Sequence, residues 1–99
     1  MVKNWKSTHI NFGTVRPHRK VSVVIQCLDS LEDVVEIKHF CGCSPGHVSG
    51  NNVIVSFTGN IPKHLAMAGI QQFNVSKNLK VIYKSGKYDL LQLNGTVRR

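Results

Sequence analysis

The sequence predicts an all-β protein: a two-sheet sandwich or small barrel of about seven short strands. Three observations carry that prediction. Apolar residues recur at every second position over several short runs, the alternation of a strand with one buried face. Turn-forming clusters (RPHR, LDSLED, SPGHVSGNN, TGNIP and KSGK) divide the runs at the close spacing expected of such folds. One stretch alone, PKHLAMAG at 62–69, has helical character, with Pro62 suited to a first turn and Gly69 to a stop.

Taken in order, residues 1–8 show no alternation and are expected to form a flexible N-terminal arm. Trp5 in that arm either folds back onto the sandwich or anchors a partner. HINFGTV, 9–15, is the first strand. In KVSVVIQC, Val21, Val23, Ile25 and Cys27 fall on one side, and Val24 breaks the polar side. In VVEIKH, Val35 and Ile37 alternate with Glu36 and Lys38; in NVIVSF, Val53, Val55 and Phe57 alternate with Asn52 and Ser56. After the helical turn, Leu79, Val81 and Tyr83 alternate with Lys80 and Lys84. YKSGKY reads as a hairpin in which Ser85 and Gly86 can take positive φ, followed by a last strand over about 88–97. The sandwich thus spans 9–97, with a basic end at 98–99. Val21, Val23, Ile25, Val35, Ile37, Val53, Val55, Phe57, Leu79, Val81, Leu91 and Leu93 form the expected core, and Cys27 is a small buried hydrophobe.

With 99 residues the chain is one domain, able to bury about two thirds of its unfolded surface without metal or disulfide staples. No apolar run resembles a secretory signal or a membrane span, so the expected location is a virion or the cytoplasm and no membrane partner is expected. The net charge is +8, unevenly placed: Asp29, Glu32, Asp33 and Glu36 are four of the five acids, and no Lys or Arg falls among them. Such a surface suits acidic partners, nucleic acid included.

HFCGCSPGH, 39–47, holds two cysteines and two histidines within nine residues. Strand alternation sets His39, Cys41 and Cys43 on one side, and a turn at 44–46 could bring His47 back. Zinc accepts two Cys and two His, but its cysteines are usually two to four residues apart so that a turn wraps the metal. A Cys41–Cys43 disulfide would require the chain to curl at Gly42, since residues two apart on a strand rise about 6.6 Å. A Cys–His nucleophile is conceivable but has no supporting motif. The favoured reading is a structural corner whose thiols fill a small apolar gap, with no cofactor.

The order INFGTV, KVSVVIQC, VVEIKHFCGCS, then LKVIYKSGKYDLLQLNGTV resembles a bacterial immunoglobulin-like family of unknown function. That family opens with F-G-x-V, carries C-G-C-[ST] after the third strand and closes on L-x-G-x-V. It is similar to the Hydin-type, or ASH, domains. The resemblance covers about 9–97. It implies an immunoglobulin-like sandwich with a binding or scaffolding role rather than catalysis.

The expected function is therefore a non-enzymatic binding or structural module, an accessory or decoration subunit of a large assembly such as a bacteriophage particle. Lys3, Trp5, Lys6, Lys80 and Lys84 are its candidate partner-binding residues. A small basic β-domain binding nucleic acid is the alternative. It calls for aromatics interleaved with basic residues on one face, and Tyr83 falls on the inward side. A zinc-stabilised interaction module built on His39, Cys41, Cys43 and His47 is third.

Overall fold

The computed structural model describes residues 1–39 and 46–99, His39 through its backbone alone. Seven strands and one helical turn follow in order: β1 (His9–Val15), β2 (Lys20–Gln26), β3 (Val34–His39), β4 (His47–Ser49), β5 (Asn52–Thr58), α1 (Lys63–Met67), β6 (Gln72–Tyr83) and β7 (Tyr88–Arg98). They form two sheets, β1-β7-β6-β3 and β2-β5-β4. With the strands lettered A to G in chain order, these are the C-F-G and B-E-D sets of an immunoglobulin sandwich. β1 joins the larger sheet by pairing in parallel with β7.

The core is where alternation places it. Val23, Ile25, Val53, Val55, Phe57, Leu79, Val81, Leu91 and Leu93 are buried between the sheets, with Val21 and Ile37 packed partly against them. Tyr83, Trp5, Leu31, Cys27 and Val97 complete it. Val24, the residue that broke the pattern, is exposed.

Val35 corrects the expected core: it is 57% exposed. The β3–β6 register shifts between Val34 and Glu36, a bulge that inserts one extra residue. Val34 and Ile37 thereby face the core and Val35 is expelled. β6 is also longer than expected, because Gln72–Lys77 continues it along β7. In the β6–β7 hairpin only Gly86 takes positive φ (84°). Gly86 N–H closes the turn on the Tyr83 carbonyl, and Tyr83 N–H donates to Lys87.

The two glycine motifs at the chain's ends meet in space. The β1–β7 register shifts between Asn11 and Gly13, and Gly13 has φ 79°. Phe12 packs edge-on against Phe57, ring centroids 5.0 Å apart. A Cβ on Gly95 would overlap that Phe12 ring. Gly95 thus leaves the space that Phe12 fills, and Gly13 supplies the backbone that aims it.

Because strands reverse direction, segments distant in sequence share an end of the 46 Å long molecule. One end gathers the arm, the β2–β3 loop and the β6–β7 hairpin. The other gathers the β1–β2 turn, residues 59–71 and the C-terminus. There Gly59 N–H donates to Arg19, His18 N–H donates to Gly59, and Arg99 N–H donates to Gln71.

Candidate binding surfaces

The arm is not loose. Trp5 pairs with Cys27 as an isolated antiparallel bridge, Lys6 N–H donates to the Gln26 carbonyl and Leu28 N–H to that of Asn4. The node that holds it is Asp89, a buried carboxylate. One oxygen accepts from Val2 N–H at 2.7 Å; the other accepts from Lys3 N–H (3.0 Å), Trp5 Nε1–H (2.9 Å) and the Tyr83 hydroxyl (2.7 Å). Burial alone would raise the Asp89 pKa, but the donors, Trp5 foremost, outweigh it and hold the carboxyl below its ordinary value. Burial and the neighbouring carboxylate push the Tyr83 hydroxyl the other way, far up, so it remains a donor.

Two expected partner contacts are therefore used internally. Trp5 is only 9% exposed, its indole N–H satisfied by Asp89. Lys3 lies at 2.8 Å from Asp33, donates to the Ser30 carbonyl at 2.6 Å and sits over the Tyr83 ring. Burial chiefly raises the pKa of Cys27, whose thiol faces the Asn4 carbonyl at 3.4 Å.

Cys41 and Cys43 of the candidate metal quartet lie outside the described residues, as does the His39 side chain. His47 is exposed on β4, opposite Ile54. Among the described residues no group of three or more His, Cys, Asp or Glu could hold a metal ion.

Of the remaining candidates Lys6 and Lys84 are exposed and Lys80 is half-buried, and they do not share one patch. Lys6 leaves the arm beside β2, whereas Lys80 stands on the outer face of the four-stranded sheet and Lys84 in the hairpin. Around Lys80 that face has a defined composition. Lys38 of β3 is directly opposite Lys80 of β6. Two ammonium groups so placed repel. Glu36 relieves Lys38 at 3.9 Å, and the Lys80 ammonium lies 4.1 Å over the centroid of the Tyr88 ring. Tyr88 and Leu90 remain 48% exposed. The result is an aromatic and an aliphatic side chain, on a rigid sheet, beside two cations. Further along this face a depression of about 450 Å³ is lined by neutral polar side chains including Asn11, Asn74, Ser76, Asn94 and Thr96. Of these, Thr96 donates its hydroxyl to Asn74 Oδ1 at 3.2 Å.

The second surface is one that strand-by-strand reading does not assemble. Arg16, Arg19, Lys20, Lys63, Arg98 and Arg99 all emerge, exposed, at the end opposite the arm. None of the segments forming that end contains an acid, and among the described residues none of these six is ion-paired. The signal was available: the turns RPHR and TGNIPK and the terminal VRR fall at alternate strand ends, hence at one end of the molecule. Asp89 was legible too, since it shares the inward parity of Leu91 and Leu93.

Comparison of the chain with protein-family models, with curated proteins and with solved structures finds no match.

Proposed function

We propose that the protein is a non-enzymatic immunoglobulin-like binding module, an accessory or decoration subunit of a larger assembly such as a bacteriophage particle. It attaches through the outer face of its four-stranded sheet to an acidic protein surface. One observation carries this reading: Lys38 and Lys80 face each other in register beside half-exposed Tyr88 and Leu90. The cation pair costs the free protein energy that an acidic partner would recover. Tyr88, braced under Lys80, is already ordered, which lowers the entropy lost on binding. The resemblance in the F-G-x-V, C-G-C-S and L-x-G-x-V segments supports a scaffolding role and adds no partner.

The test is co-sedimentation with particles encoded by the neighbouring genes. Tyr88→Ala should weaken attachment by about 2 kcal/mol, the scale of an aromatic hot spot, and Lys80→Glu should weaken it further. Undiminished attachment of both variants would refute this docking face. Tighter binding of the wild type to any duplex DNA than to the particle would favour the nucleic-acid alternative.

A further inference from the structure

Residues 59–71 connect β5 to β6 at the basic end and are anchored at both feet. Gly59 is tied to His18 and Arg19, and Gln71 to Arg99. Between the feet the chain makes little use of its apolar residues. α1 has no buried residue, Met67 is 79% exposed, and Ile70 is exposed as well. Water is an unfavourable place for such side chains, yet the fold leaves Met67 almost wholly uncovered and Ile70 covered in part, at 39% exposure. They stand on a segment whose two feet adjoin Arg16, Arg19, Arg98 and Arg99, with Lys20 and Lys63 close by in sequence. Two apolar side chains with six unpaired cations and no acid are the two halves of an interfacial recognition element. The apolar groups enter the acyl boundary, and the cations meet anionic headgroups.

We infer that this end is a peripheral docking site for an anionic lipid surface, with Met67 and Ile70 inserting and the arginines holding headgroup phosphates or carboxylates. The observations favour a bilayer over nucleic acid. The two apolar side chains have no role against phosphates, and 59–71 offers one stacking ring, the His64 imidazole, where strand readers interleave several aromatics with their cations. They favour it over a folded acidic protein as well. Such a partner must offer a preformed cavity for Met67 and Ile70, whereas a fluid interface shapes itself around them. The docking is peripheral: no helix among the described residues is long and apolar enough to cross a membrane. It is also separate from the face around Lys80, so either reading can fail without the other.

The experiment is co-sedimentation of the full chain with vesicles of phosphatidylcholine alone and with vesicles that also contain phosphatidylserine, each with and without competing duplex DNA. Binding to the mixed vesicles only, weakening as salt rises, is expected. Arg98→Ala and Arg99→Ala should each lower partitioning about fivefold, the equivalent of about 1 kcal/mol per cation. Met67→Asp with Ile70→Asp should abolish it; the melting temperature should stay at the wild-type value for Met67→Asp alone, which should itself weaken partitioning, and fall only slightly for the pair because Ile70 is partly covered. Met67→Trp should strengthen it with the melting temperature unchanged, a combination that misfolding cannot produce. The inference is overturned by absence of binding to mixed vesicles, or by equal binding to both vesicle types. It is also overturned if partitioning survives the double aspartate variant, or if duplex DNA displaces the vesicles while binding independently of Met67 and Ile70.

Discussion

The two ends of the molecule handle charge in opposite ways. At the arm end, Asp89 accepts four hydrogen bonds and Lys3 is divided between Asp33, a carbonyl and an aromatic face. At the other end, six cations have no ion-pair partner among the described residues. Charges engaged internally stabilise the fold and are unavailable to a partner. Charges left in water contribute little to stability and are free to bind. The candidate functional residues of this protein should therefore be sought among its least integrated side chains, and Trp5, despite its terminal position, is not among them.

The contrast breaks most sharply at Asp89. Asp89→Asn leaves one acceptor oxygen for four donors and sets an amide N–H₂ among them. Loss of about 3 kcal/mol or more is expected by chemical denaturation, with the arm released to proteolysis. Trp5→Ala should cost a similar amount, about 3 to 5 kcal/mol. Removing residues 1–7 should therefore destabilise the domain rather than merely detach it from a partner. Marked resistance of the shortened chain to denaturant would show that the Asp89 node is marginal.

The pH dependence follows from the same node. The Asp89 pKa is lowered in the folded state. Its contribution is present above the unfolded carboxylate pKa of about 4 and is lost as pH falls through the lower folded value. Tyr83 is raised. Its contribution is present below the unfolded phenol pKa of about 10 and is lost as pH climbs toward the folded one. Thermal melts should show a plateau between these limits with acid and alkaline falls, and Asp89→Asn should remove most of the acid limb.

Smaller effects sharpen the picture. Gly95→Ala should cost about 1 to 3 kcal/mol, because the new methyl needs the space of the Phe12 ring. In the Phe12→Leu background the penalty should shrink, a coupling that double-mutant cycles measure directly. Val55→Ala should cost about 1 to 3 kcal/mol and Val35→Ala no more than about 0.5, a difference set by the bulge on β3. Arg98→Ala should leave stability unchanged, and a clear loss would mean that the basic end is structural after all.

Much of this was legible in the sequence, and the failures have physical causes. Alternation over Val21–Cys27 and Val53–Phe57 identified strands because each has one buried face. It misplaced Val35 because a bulge resets parity within a strand and leaves no composition signal. It started β6 too late: Phe73 and Val75 share the parity of Leu79, but Lys77 interrupts the apolar pattern. Lys77 in fact keeps that side, its ammonium 5.1 Å over the Phe57 ring. β4 was hidden inside a run of turn residues because three residues are too few to show a period. The arm was misjudged because its anchors, the Asp89 carboxylate and a backbone bridge to Cys27, are distant in sequence, which no local pattern reveals. The basic end depends on strand direction as well as residue type, so it emerges only after the topology is known.

The parallel pairing of β1 with β7 has a consequence for how the chain is made. The first strand finds its sheet partner in residues 92–97, and the arm, besides its bridge to Cys27, needs Asp89 to complete its anchorage. During synthesis from the N-terminus, neither Trp5 nor Phe12 can reach its final place until the last strand has left the ribosome. Until then the β2–β5 pair has only the β3–β6 pair to cover its apolar face, and the part that β1 and β7 cover stays open. Nascent chains stalled before residue 89 should consequently be held by chaperones or degraded, and addition of β7 should convert them abruptly to the protease-resistant form.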